Sequence, residues 1–178
     1  MTFRSPHRPT PAVLLILAAI AGAYVAARSI GQAGAAAPIY GVTLPPDYRD
    51  WKLISVAREE GQLDDVRAIL GNDIAIAAYR DGKLPFPDGA IVARLAWAYV
   101  PSEENNKVFG RAQSFVAGAP KNGVQFMIKD AKKFAATGGW GYAQFNDGQP
   151  ADEAVHKGCF PCHQGISARD FVFTQYAR

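Results

Sequence analysis

AIVARLAWAYV, Ala90 to Val100, is an apolar run that sorts into two files at a spacing of two. Ile91, Ala93, Leu95, Trp97 and Tyr99 make one file; Val92, Arg94, Ala96, Ala98 and Val100 make the other. Side chains of a strand alternate in this way, whereas a helix groups residues three and four apart. Working outward, DWKLISVAR (Asp50 to Arg58), DVRAIL (Asp65 to Leu70), VFGRAQSFVAG (from Val108), GVQFMIK (from Gly123) and GWGYAQFN (from Gly139) read as further strands. Each is bounded by Gly, Pro, Asn or Asp, the residues that punctuate sheets. NDIAIAAYRDG, Asn72 to Gly82, reads as a helix with an asparagine cap and a glycine stop. DAKKFAA, Asp130 to Ala136, reads as a helical turn. PADEAVHKGCFPCHQG begins with proline and acids, as a helix start should. The expected fold is α+β and β-dominant: an antiparallel sheet with a few short helices and a C-terminal segment that carries the chemistry. A four-helix bundle is the rival, and the Gly-bounded alternating segments argue against it. There is no internal repeat.

The N-terminus has a different character. Arg4 and Arg8 precede an uncharged run, AVLLILAAIAGAYVAA, which Arg28 closes before the small residues of GQAGAAAP. Basic, then apolar, then small is the order of a secretory signal. Residues 1–37 are therefore expected to be a signal peptide, with an uncleaved membrane anchor as the alternative, and 38–178 to be the working domain. The whole chain has 19 basic and 16 acidic side chains. Setting aside Arg4, Arg8 and Arg28 balances the charge, so the domain has no excess of positive charge to offer a nucleic acid. An exported domain of this length can bury one ordinary core.

Its two cysteines stand three apart, in Cys159-Phe160-Pro161-Cys162-His163. A disulfide framework closes long loops between distant cysteines, which this spacing does not. Cys-x-x-Cys-His is the spacing of a c-type haem attachment. Each thiol adds across one vinyl group of the porphyrin, and the adjacent histidine reaches the iron as proximal ligand. Zinc is a weaker alternative. His156, Cys159, Cys162 and His163 could supply four ligands, but the neighbours Cys162 and His163 do not easily converge on one tetrahedral ion. A thioredoxin-like redox motif would follow a βαβ pattern, and none precedes this one. The residues after the motif, QGISARDFVFTQYAR, hold no Met, His, Lys or Cys to serve as a sixth ligand. Upstream, His156 lies two helical turns back on the same side as His163. Met127 is the remaining candidate, with a core methionine as its plainer role. The expectation is an iron held by His163 with an open distal side, suited to ligand binding or catalysis more than to pure electron transfer.

Five stretches in order carry a family resemblance: LPPDYRDWKLI (Leu44 to Ile54), DGKLPFPDGAIVARL (Asp81 to Leu95), IKDAKKF (Ile128 to Phe134), GGWGYAQF (Gly138 to Phe145) and CFPCHQGISARDFVFTQYA (Cys159 to Ala177). Together they make the chain resemble the cytochrome P-460 family, which includes the sheet-based cytochromes c′-beta. The resemblance spans nearly all of 38–178, and the last stretch is its most specific part. It implies a periplasmic, often homodimeric, sheet protein with one covalently attached haem c, its iron on His163. Namesake members oxidise hydroxylamine and crosslink their haem to a lysine in the strand after the Pro-Asp-Gly turn. Arg94 stands at the corresponding position here, and a guanidinium stays protonated where the crosslink uses a free amine. The chain is thus expected in the branch without the crosslinking lysine, whose members bind nitric oxide and cap the iron with phenylalanine. Phe86 is the candidate cap, with a core or turn phenylalanine as its plainer role. Arg94 is the distal-side candidate, able to donate hydrogen bonds to a bound ligand or a propionate. The function expected is a monohaem cytochrome binding a small gaseous or nitrogen-oxide ligand, with a possible redox partner protein. The alternatives are a haem oxidoreductase using hydroxylamine or peroxide, and an electron carrier with Met127 as sixth ligand.

Overall fold

The computed structural model describes residues 34–177. The signal segment expected over 1–37 lies almost wholly outside the described residues. Six antiparallel strands form one sheet in simple meander order. They are β1 (Lys52–Glu59), β2 (Asp65–Gly71), β3 (Ile91–Pro101), β4 (Phe115–Lys129), β5 (Trp140–Asn146) and β6 (Gln149–Pro150). Among the described residues three helices accompany them: α1 (Asp73–Asp81), α2 (Glu103–Phe109) and α3 (Glu153–Gln164). The β-dominant α+β architecture expected from the alternation is the one observed.

Both faces of the sheet are covered, and the register keeps the two files of β3 apart. On one face Val92 pairs with Met127, which pairs with Tyr142. These three join Ile54, Ile69 and the buried face of α1 in one apolar core. On the other face Ala93, Phe126 and Ala143 pair across the same strands. There the N-terminal segment closes the layer, with Ala37 and Val42 buried and Tyr48 and Trp51 edge-on to the Phe126 ring. Removal of apolar area from both faces is the main stabilising term.

Local chemistry accounts for the helix ends. The Asn72 side chain accepts from the Ala75 and Ile91 amides and donates to the Gly89 carbonyl, so one cap ties α1 to the turn before β3. Gly82 ends α1 in the left-handed conformation. The stretch from Val108, expected as a strand, is corrected by the structure. Val108 and Phe109 are the last residues of α2, and β4 begins only at Phe115. Ser102 caps α2 by accepting from Asn105 N, and Gly110 stops it at a φ of 66°. The Asn106 side chain then accepts the amides of Gln113 and Ser114. Polar capping outcompetes a short alternating pattern here. Beyond Gly110 β4 continues, through register irregularities opposite Leu95–Tyr99, into the segment from Gly123, so two expected strands are one. DAKKFAA folds as a turn leading to a short 3-10 helix, Ala135–Thr137, with Asp130 accepting the Lys133 amide.

Candidate haem site

Asp152 caps α3 by accepting from the Val155 amide, and the helix carries the Cys-x-x-Cys-His motif through to its end. On a helix Cys159, Cys162 and His163 stand at i, i+3 and i+4, which share one side. All three line a cavity of about 600 Å³ between α3, the sheet and the segment 172–175. That volume is within the usual span of ligand pockets, ~300–1,000 Å³. Ile69, Val92, Met127 and Tyr142 give it an apolar sheet wall. Both cysteines are free thiols. Burial, and then the neighbouring Cys162, raise the pKa of Cys159.

His163 is the most defined group in the cavity. Its Nδ1 lies 2.7 Å from the Phe171 carbonyl oxygen. A carbonyl only accepts, so Nδ1 carries the proton and Nε2 keeps its lone pair. Burial holds the imidazole pKa below its ordinary value, with the Phe171 bond acting in the opposite sense. The ring is flanked by Tyr142 and Phe173, with centroids at 5.0 and 5.1 Å. A neutral imidazole oriented through one nitrogen and offering the other is the donor a metal requires.

Opposite the motif, the sheet contributes a charged cluster. Asp65 is fully buried. It accepts from Arg67 Nε at 2.8 Å and forms an ion pair with Arg94. Arg94 also donates to Gln125 at 2.9 Å, and Gln125 in turn donates to Gln144 at 2.8 Å. Burial first, then the Arg67 charge, lower the Arg94 pKa, while Asp65 opposes them. Arg67 and Arg94 both line the cavity, and none of its lining residues is a lysine. The Tyr142 hydroxyl is buried without a hydrogen-bond partner among the described residues, and burial raises its pKa.

The cavity thus brings together Cys159, Cys162, His163, Arg94 and Met127 from among the residues singled out in the sequence. Phe86 is placed elsewhere. It is 5 % exposed, packs edge-on against Tyr79 and Trp140, and does not line the cavity. Its turn directs it into the core beside α1. His156 is a core histidine: its Nε2 accepts from the Gln144 amide at 3.1 Å and its Nδ1 donates to the Asp152 carbonyl at 2.7 Å. Both nitrogens are used, and α3 is thereby pinned to β5. Asp65, Arg67, Gln125 and Tyr142 were not legible as site residues. The one available signal was Asp65 and Arg67 at a spacing of two, an opposite-charge pair on one face of a short strand.

These residues fit a covalently held haem. The site offers two free thiols, a tautomer-fixed imidazole, an apolar wall and two guanidiniums suited to carboxylates at a tetrapyrrole's edge. A family model described as cytochrome P-460 matches residues 45–174, a span that takes in β1 through α3 and the whole cluster around Asp65. No curated protein matches the chain.

Proposed function

The chain belongs to the cytochrome P-460 family, a family of haem-binding cytochromes, and on that premise we propose that it is an exported monohaem c-type cytochrome whose iron binds small ligands, nitric oxide first. The observation that carries this reading is His163: its Nδ1 proton is held by Phe171, and it shares a cavity with both thiols. Cys159 and Cys162 would hold the haem through thioethers and His163 would hold its iron. When bound, haem supplies an iron with a second axial position for a small ligand. The chain's own residues set the conditions. Ile69 and Val92 exclude water, and Arg67 and Arg94 supply positive charge and hydrogen-bond donors, Asp65 holding both in place. Arg94, standing where the resemblance puts the crosslinking lysine, supports the branch without a haem–lysine crosslink. The basic, then apolar, then small order of residues 1–37 supports export to the periplasm. The family expectation of a homodimer is supported by exposed apolar residues at the end of α2 and the start of β4, Val108, Phe109 and Phe115.

A second reading has an observation of its own. Met127 lines the same cavity, as a sixth ligand of an electron carrier would. Haem staining of a denaturing gel, with the ferrous absorption spectrum, tests both. Covalent haem is expected in the wild type, weakened in Cys159→Ser or Cys162→Ser and abolished in the double variant. A high-spin ferrous spectrum that Met127→Leu leaves unchanged, and nitric oxide uptake without loss of another ligand, are expected from the open site. A low-spin spectrum lost on Met127→Leu would establish the electron carrier instead. A haem band that survives the double cysteine change would remove the c-type assignment.

A further inference from the structure

The carbonyl that orients His163 belongs to an unusual piece of backbone. Asp170 and Phe171 are consecutive non-glycine residues in the left-handed region, at φ of 51° and 64°. That region is disfavoured for side chains with a Cβ and persists only where the surroundings impose it. The surroundings here are specific. Lys129, at the end of β4, is 4 % exposed and Asp170 9 %. The Lys129 ammonium reaches both Asp170 carboxylate oxygens, at 2.7 and 2.9 Å, and donates to the Gly138 carbonyl at 3.1 Å. Asp170 also accepts the Phe86 amide at 2.8 Å. The Phe171 ring lies over Gly138, where a Cβ would come within 2.1 Å of it. Three separate stretches of chain therefore hold one turn, and that turn presents the Phe171 oxygen to His163.

We propose that Lys129 and Asp170 are positioning residues for the axial histidine: their buried ion pair fixes the Asp170–Phe171 turn, whose carbonyl fixes the tautomer and direction of the His163 ring. The inference rests on the haem reading above. A buried ion pair adds little to stability relative to a well-packed apolar pair, so specifying this turn is the role the geometry leaves for it. Outer-shell partners of a ligating histidine set its orientation and basicity, and their loss typically weakens metal binding by roughly ten- to hundredfold.

The test uses the haem-loaded protein and the double variant Lys129→Met/Asp170→Leu, which removes both charges together and leaves neither unpaired. Circular dichroism reports the sheet and haem staining reports attachment. The iron–histidine stretching band of the ferrous protein and titration with nitric oxide report the axial bond. The double variant is expected to keep its sheet and covalent haem. Its iron–histidine band should shift to lower frequency and broaden, and nitric oxide, which the wild type takes up with His163 still bound, should now release His163 from the iron. Asp170→Asn tolerates a left-handed φ and keeps an acceptor for the Phe86 amide, so its band should move part of the way. A folded, haem-loaded double variant with an unchanged band and nitric oxide response would overturn the proposal. Should that variant not fold, an unchanged band in Asp170→Asn would do the same. A wild type without covalent haem would remove the haem reading and this inference with it.

Discussion

Asp65 is the point on which the sheet side of the cavity depends, and its replacement should cost more than that of either arginine it holds. The carboxylate is fully buried, while the Arg67 and Arg94 side chains are 12 % and 15 % exposed. Asp65→Leu leaves two largely buried guanidiniums, with only Glu59 near one of them, 3.3 Å from Arg67. Removing one partner of a buried pair costs about 3–5 kcal/mol. Arg94→Leu is a lesser change, because Asp65 keeps Arg67. The losses are then the hydrogen bond to Asp65, about 1.5–3 kcal/mol, and the one to Gln125, about 1 kcal/mol, partly offset by the apolar surface that leucine brings to the cavity wall. Urea unfolding followed by circular dichroism measures both. With a slope of ~2 kcal/mol per molar, the midpoint should fall by about 2 M for Asp65→Leu and by about 1 M or less for Arg94→Leu. The slope itself should be unchanged. An equal or smaller loss for Asp65→Leu would refute the argument that the carboxylate organises this wall.

Two further outcomes follow from other buried groups. His156→Leu leaves the Gln144 amide without its partner, and at about 1–3 kcal/mol for a buried unpaired group it should lower the thermal midpoint; an unchanged midpoint would show that α3 is not held this way. Burial raises the pKa of Tyr79 and of Tyr142, so the fold favours the neutral phenols. That contribution is fully present below the unfolded value of about 10 and is lost as pH rises above it toward the folded values. Stability should therefore decline between about pH 9 and about pH 11, and less steeply in Tyr142→Phe, whose hydroxyl has no partner to lose. Equal slopes in the variant and the wild type would contradict the assignment.

Periodicity, caps and motif spacing are local, and they are what the sequence alone determined. The spacing of two over Ile91–Val100 established a strand because side chains of an extended chain must alternate, whatever lies beyond. Asn72 and Gly82 marked the ends of α1 because a cap is made within a few residues. Cys159, Cys162 and His163 were legible as one group because Cys-x-x-Cys-His, the spacing of a c-type haem attachment, is complete within five residues. The same locality explains the misreading from Val108, where a window of alternating residues straddled the glycine that ends α2.

Tertiary structure decided everything that depends on two distant segments meeting. Alternation could not say which file of β3 would face the cavity; the register with β2 and β4 did so, placing Arg94 between Ile69 and Gln125, from where its guanidinium reaches Asp65. Phe86 is aromatic and follows the haem-family turn pattern, yet its destination was set by Tyr79 and Trp140 closing around it. Lys129 and Asp170 are 41 residues apart, and nothing local to either shows that they pair. The physical reason is common to all three. A charge or ring leaves water only when its partners are already in place, and those partners come from strands and turns whose positions are fixed by burying both faces of one sheet.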